Sequence, residues 1–403
     1  MKSSPKILFM LRLYSGFVDS IKKGVWDPSG TPAIFKLLEE VKHQNFDTDF
    51  YFYCPFEFEE EIGRDQTHML LEGFPSPIHV LFTPRFFKYL PARVRDILTQ
   101  IYQAIIALRL VWDRKIDLFY TDRGNIIGGA FVARLSRVKT VIRLLGMPAE
   151  VASLLTNNRP LSLVYRWAYR SKFTHIIGTH DGSSIIPFLS VGINKDTSFD
   201  VKINGVNFPP KVPSTKLSEP ISIGFIGRLS REKGAEKLVE AVEMIPNDNF
   251  EVKIVGYGPD MSALRDQIES KNLGAKVKLL GRVSHADLQA EISDWDIYVS
   301  LNEFGQISNA NLEAAMAGLC LIFLESGNVD EAKDLFSPDL ITWIKPQRTI
   351  ENLANNLSRL LDSPQVIQTY KEKTQKFSEN LENWPARIKW EVELLKSIGA
   401  ENA

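Results

Sequence analysis

Cysteine is scarce. The 403 residues hold only Cys54 and Cys320, far apart along the chain. Two distant thiols build no disulfide framework, and this usage fits a reducing compartment. Long apolar runs are absent too. "ILFMLRL" near the amino terminus is interrupted by Arg12 and is followed by no small-residue cleavage site, so it reads as a first strand rather than a secretion signal. No run reaches the ~18–20 residues that span a bilayer. The expectation is a cytoplasmic protein, able to rest on the inner face of a membrane. No His/Cys cluster has zinc spacing. No G-x-G-x-x-G follows the first strand, which argues against a nicotinamide-dependent oxidoreductase. Net charge is −1, so the molecule as a whole has no pull toward nucleic acid.

What is present is strand–helix alternation. With 44% hydrophobic residues, the chain can bury the cores of two or three domains. "KILFMLRL" (6–13) reads as a buried strand, followed by a helix over "TPAIFKLLEEVKHQ" with Thr31 as N-cap and Pro32 at its first position. "DTDFYFYCP", "IDLFYTD", "KTVIRLL", "FTHIIGTH" and "FDVKING" read as further strands. Residues 207–220, "NFPPKVPSTKLSEP", carry four prolines and break the pattern as a linker. Alternation restarts at "ISIGFIG" and runs through "LCLIFLE" as a second doubly wound unit. The tail from about Lys373 to Lys396 reads as helical, with Trp384, Trp390 and Leu394 on one apolar face.

Charge is unevenly spread. From Arg85 to Lys172 there are sixteen Lys/Arg against five Asp/Glu. Within residues 84–115, Phe86, Phe87, Tyr89 and Trp112 mix with Arg85, Lys88, Arg93, Arg95, Arg109 and Arg114. Such a mixture suits an anionic membrane surface or a lipid-linked phosphate. The plainer reading is that Ile97, Ile101, Ile105 and Leu108 pack on the sheet while the cations are solvated.

Three spots in the second unit share one geometry: a strand, a Gly-rich turn, then a helix. Ligands of open α/β sheets bind at such carboxyl ends, and helix amino ends favour anions. Gly227-Arg228 and Lys233-Gly234 bracket the first turn, where two cations can grip a diphosphate. Gly256, Gly258 and Pro259 form the second. Gly305 to Asn309 form the third, ahead of the helix that carries Glu313. Two Asp-x-Asp triplets, 47–49 and 294–296, would offer oxygen ligands to a divalent cation, but each reads as the entry to a buried strand. No metal site is expected.

In order and spacing these segments resemble the carboxyl-terminal domain of retaining GT-B glycosyltransferases, glycosyltransferase family 4. The match lies in Gly227-Arg228-Leu229, Lys233-Gly234, Gly256-Tyr257-Gly258-Pro259, "LLGRVSHADL" (279–288) and "NLEAAMAG" (311–318), with "NGVNF" (204–208) resembling the segment that closes the first domain. The resemblance implies an α/β fold of two Rossmann-like doubly wound domains facing a cleft. Residues 1–208 would form the acceptor domain, 209–219 a linker and 220–376 the donor domain, with a helix at 377–403 crossing back.

It also implies roles. Arg228 and Lys233 would neutralise the diphosphate of a nucleotide sugar, the co-substrate, with no cofactor. Glu313 would take the ribose hydroxyls, and amides near Ser308 and Asn309 would face phosphate or sugar. Gly227, Gly258, Pro259 and Gly305 would line the donor, and Arg282 and Val283 the nucleobase. The family's acids are spaced E-x7-E, and eight positions before Glu313 stands Gly305. Glu303 lies two residues early and reaches the sugar only if the turn bulges. The family's first-domain histidine is missing. Gly30, Arg143 and His180 are the candidates for the acceptor and sugar side. The implied function is sugar transfer to a glycan or lipid-linked acceptor in surface polysaccharide or glycolipid synthesis. A catalytically silent sugar-nucleotide-binding partner subunit is the alternative.

Overall fold

The computed structural model describes residues 5–147, 151, 153, 159–207, 216–325, 329–336 and 339–400. The chain divides into two compact units. One comprises Met1–His180, Ser184–Gly205 and Trp384–Ala403, and the other Asp181–Ser183 and Val206–Asn383. Most of the proline-rich stretch read as a linker, residues 208–215, lies outside the described residues.

The first unit is built on β1 (Ile7–Arg12), β2 (Thr48–Cys54), β3 (His68–Met69), β4 (Ile78–Phe82), β5 (Leu118–Asp122), β6 (Lys139–Leu144), β7 (His175–Thr179) and β8 (Ser198–Lys202). They lie in the order β3-β4-β2-β1-β5-β6-β7-β8, and the short edge strand β3 is antiparallel to β4. Both faces of the sheet are covered, which is why β1 is apolar at every position but its last. Ile7, Phe9 and Leu11 face the helices Pro32–His43 and Trp384–Ala400, while Leu8 and Met10 face Ala92–Arg114.

The structure alters two local expectations. Thr31 precedes Pro32 as foreseen, but its hydroxyl makes no cap hydrogen bond; Pro32 alone starts the helix. The tail is two helices, Pro364–Ser378 and Trp384–Ala400. Pro385 has no N–H to continue a helix from residue 381, so it opens a new one instead. The second helix is the part that joins the first unit, through Trp384, Ile388, Val392 and Leu395.

Arg143, considered for the acceptor side, is an interior residue. Its guanidinium is 2.6 Å from Glu391 and donates to Thr179 Oγ1 at 3.1 Å, with no exposed surface. Tyr120 and Arg387 also donate to Glu391, at 2.8 and 3.0 Å. A buried carboxylate on the tail helix thus holds two cations, and burial of any of the three alone would be costly. Arg143 is a structural clamp because β6 runs beneath that helix, which only the three-dimensional placement of a distant segment decides.

The second unit carries β9 (Ile221–Ile226), β10 (Phe250–Val255), β11 (Val277–Gly281), β12 (Ile297–Ser300), β13 (Cys320–Leu324) and β14 (Ile341–Ile344). All pairings are parallel, in the order β11-β10-β9-β12-β13-β14. Strand succession therefore reverses between β9 and β12, and a crevice opens there at the carboxyl ends. The helix Pro364–Ser378 is pinned below by Lys371, whose ammonium lies 2.8 Å from Asp296. Asp296, the last acid of the 294–296 triplet, also accepts from Ser218 and Ser222 amides, and Asp49 of the other triplet meets Arg114 at 2.6 Å.

Candidate nucleotide-sugar site

Three loops of the second unit converge at the reversal point. The Gly227–Gly234 loop leaves β9 and enters the helix Ala235–Glu243. It is laced to the turn after β10: Gly227 N–H donates to Val255 at 3.1 Å, Leu229 N–H to Tyr257 at 3.2 Å, and Asp260 N–H to Leu229 at 3.0 Å. This close approach requires small residues. A Cβ on Gly258 would sit 2.2 Å from the Leu229 carbonyl oxygen, and one on Gly256 would sit 1.8 Å from that of Gly227. Pro259 follows, ahead of the helix Met261–Ser270. Beyond β11, Gly281 accepts from Gly256 N–H at 2.9 Å, and the Arg282 guanidinium lies 5.1 Å over the Tyr257 ring. Val283, half-buried, is the next residue.

The turn after β12 lies against the first loop. Glu303 N–H donates to the Glu232 carbonyl at 2.9 Å, and the Glu303 carboxylate pairs with Lys237. Glu303 is exposed. Gly305 has a left-handed backbone, with φ 64°. Ser308 caps the helix Asn309–Met316 by accepting from Asn311 N–H at 3.3 Å, and its hydroxyl lies 2.5 Å from Asn311 Oδ1. Glu313 opens the second turn of that helix.

Electrostatics distinguish these groups. Lys233 is half-buried, and desolvation holds its ammonium below the ordinary lysine range, with Glu232 opposing. An anion arriving there would restore what burial removes. Arg228 is exposed beside it in sequence and loop. Glu313 is pushed up to about 7 by burial, against a hydrogen bond from Asn207 that favours the carboxylate. It stands poised between forms, so hydroxyl donors would draw it to the ionised one.

The structure thus brings together Gly227, Arg228, Lys233, Gly258, Pro259, Arg282, Val283, Glu303, Gly305, Ser308, Asn309 and Glu313 on the linked connections after β9, β10, β11 and β12 and the helix that follows the last. Gly30, Arg143 and His180 belong to the first unit. Gly30 is exposed with φ 90° just before the helix Pro32–His43, and His180 N–H closes β7 by donating to Lys202 at 2.9 Å. Sequence reasoning passed over Asn207, Lys237 and the segment Asp181–Ser183. Asp181 accepts from Ile307 N–H at 2.7 Å, and a Cβ on Gly182 would stand 3.3 Å from the Gly305 carbonyl oxygen. The "NGVNF" segment was visible as a motif; that its asparagine meets Glu313 was not.

Residues 210–384 match the family model for glycosyl transferases group 1. Over that stretch the chain is similar to the glycosyl transferases of group 1, and its fold is GT-B. The phosphatidylinositol N-acetylglucosaminyltransferase GPI3 subunit of Saccharomyces cerevisiae is 27% identical over 210 residues, covering 49% of this chain and 44% of that protein. An uncharacterised glycosyltransferase of Methanocaldococcus jannaschii is 25% identical over 193 residues, covering 47% of this chain and 48% of that one. Matches to these curated relatives therefore span about half of their length or less. Among solved structures, sucrose-phosphate synthase of Thermosynechococcus elongatus has a TM-score of 0.71 at 16% identity, covering 98% of this chain and 100% of its own. Anabaena Alr3699/HepE in complex with UDP has a TM-score of 0.67 at 17% identity, covering 97% of this chain and 100% of its own. These likenesses extend the GT-B fold to the first unit, where the sequence matched only in layout.

Proposed function

We propose that this chain transfers a sugar from a nucleoside-diphosphate donor to a hydroxyl of a glycan or lipid-linked acceptor, with retention at the anomeric carbon and without a metal ion. The observation that carries this reading is the junction at the β9/β12 reversal. There a desolvated lysine, an exposed arginine and a carboxylate raised to about 7 stand on loops joined by the 2.9 Å bond from Glu303 to Glu232.

Arg228 and Lys233 meet the diphosphate, where charge grows as the bond between the anomeric carbon and the phosphate oxygen breaks. The electron pair leaves with the nucleoside diphosphate, and fixed cations lower the barrier without reorganising. The acceptor oxygen bonds to the same face of the anomeric carbon, and its proton is released to the departing phosphate or to water. Glu313 accepts from the ribose hydroxyls, with Asn207 fixing its orientation. Glu303 touches the donor sugar once it exchanges Lys237 for a sugar hydroxyl.

The Glu303–Lys237 pair also supports a second reading, a silent nucleotide-sugar binder, since it occupies the carboxylate nearest the sugar side. Donor turnover separates the two. Thermal-shift screening with UDP, GDP, ADP and CMP, followed by donor hydrolysis and transfer assays, tests the proposal. Stabilisation with turnover supports a transferase, stabilisation without turnover on any acceptor the silent binder, and no stabilisation removes both.

The role in surface polysaccharide or glycolipid synthesis, at the inner face of a membrane, belongs to the same proposal. Among the described residues no helix is long and apolar enough to cross a membrane. Phe86, Tyr89 and Trp112 are 66%, 87% and 64% exposed amid arginines, which supports peripheral contact with anionic lipid. Flotation with vesicles of graded anionic content tests this; binding independent of that content contradicts it.

A further inference from the structure

Two of the six histidines meet at the edge of the first unit's sheet. His68 lies on β3 and His79 on β4, and the two strands pair antiparallel with these residues directly opposite. Val80 N–H donates to the Thr67 carbonyl at 3.0 Å, so Thr67 and Val80 form a hydrogen-bonded pair. The next pair along the ladder, His68 and His79, is therefore of the non-hydrogen-bonded kind, in which side chains stand closest. Their Nδ1 atoms are 3.2 Å apart. The rings are inclined at 51° with centroids 4.7 Å apart, so they meet through their nitrogens rather than by stacking. Eleven positions separate them in sequence, a distance that matches no metal-ligand motif.

The neighbours fix His79. Its ring stacks on Tyr51 of β2, with centroids 4.5 Å apart and 14° between the planes. Burial, then the charges of His68 and Arg114, hold its imidazole below the ordinary histidine range, with Asp49 opposing. Asp49 is itself engaged by Arg114 at 2.6 Å. The neutral ring is the form that ligates a metal. Without an ion, one Nδ1–H donates to the other Nδ1, which demands a different tautomer of each ring. A divalent cation takes both lone pairs at once. At metal–imidazole bonds of roughly 2.0–2.1 Å, nitrogens 3.2 Å apart subtend about 100–106° at the ion, close to the tetrahedral ~109°. His68 is exposed and His79 half-buried, so an ion reaches the pair from solvent. Among the described residues no group of three or more His, Cys, Asp or Glu could hold a metal. Water therefore completes the coordination, and imidazole favours late first-row ions over magnesium or calcium.

We propose that His68 and His79 form a two-histidine site for a late first-row divalent cation, copper(II) ahead of zinc(II), which clips the two-residue edge strand β3 to β4. The inference is independent of the transferase reading. Isothermal titration of the full chain near pH 7 with copper(II), zinc(II) and magnesium tests it, using wild type, His68→Ala, His79→Phe and His43→Ala. His79→Phe keeps a ring against Tyr51 while removing the ligand, and His43, exposed at the end of the helix Pro32–His43, is a control outside the pair. The expected result is one saturable site at micromolar copper(II), weaker for zinc(II) and absent for magnesium. Either change to the pair should weaken it about a hundredfold, the loss of a second linked ligand, and His43→Ala should leave it unchanged. Electron paramagnetic resonance of the one-to-one copper complex should show two nitrogen ligands in wild type and one in His68→Ala. Hydrogen exchange at residues 67–70 should slow when the ion is bound. No binding at micromolar copper(II), binding that survives both changes to the pair, equal binding of magnesium, or exchange at 67–70 indifferent to the ion would overturn the inference.

Discussion

Glu313 gives a prediction whose size and sign follow from its surroundings. Burial raises the carboxyl from 4.5 to about 7 in the folded protein. Below pH 4.5 folded and unfolded chains both hold the proton, and Glu313 is neutral toward stability. Between pH 4.5 and 7 the folded state still holds a proton that the unfolded state has released. Folding then becomes less favourable as pH rises, by up to about 1.4 kcal/mol per unit. Above about pH 7 the loss levels off near 3 kcal/mol, an upper figure because Glu313 keeps some contact with solvent. Glu313→Gln removes the titration. It should match wild type near pH 5 and melt progressively higher than wild type up to pH 8, in the absence of nucleotide. Nucleotide should reverse the order. Ribose hydroxyls donating to the carboxylate stabilise its ionised form, so binding at pH 7 should expel roughly half a proton. Calorimetry in buffers of different ionisation enthalpy reads that proton directly. A melting difference that stays constant from pH 5 to 8, together with proton-neutral binding, would refute the reasoning.

Other outcomes follow from the same contacts. Lys233→Met should weaken nucleoside-diphosphate binding by about 2–4 kcal/mol, the scale of a lost charge-assisted contact, while leaving the melting temperature without ligand unchanged or higher; calorimetry and thermal melts check both. Glu303→Gln should lower the transfer rate more than it lowers nucleotide affinity, seen as a fall in kcat at nearly constant dissociation constant. Gly258→Ala should destabilise the second unit by roughly 2–4 kcal/mol, because its methyl group meets the Leu229 carbonyl, and circular-dichroism melts would show it. Lys371→Met should cost about 3–5 kcal/mol by stranding Asp296 in the interior, whereas the double change to Met at 371 and Leu at 296 should recover part of it.

The second unit was legible because each of its early strands is a short apolar run ended by glycine, and the turns that follow carry the candidate site residues in sequence order. The β9 to β12 loops could therefore be placed from local pattern alone. The first unit was less so. The two-residue strand β3 exists only as a partner of β4, and the break before Trp384 depends on Pro385 and on where the tail helix docks. Arg143 resembles a surface cation in sequence, and only the return of Glu391 from almost 250 positions later makes it interior. The same limit applies to Asn207 and to Asp181, whose contacts with Glu313 and Ile307 join distant segments. Glu303 is the instructive intermediate. Its offset from the family spacing was visible, but its ion pair with Lys237 was not.

The central claim is that the second unit holds a nucleoside diphosphate through Lys233 and Glu313. Isothermal titration of the full chain with UDP, GDP and ADP at pH 7 tests it most directly. The account predicts saturable binding of at least one of them, weakened by Lys233→Met and by Glu313→Gln. Binding by none, or binding indifferent to both substitutions, would contradict it.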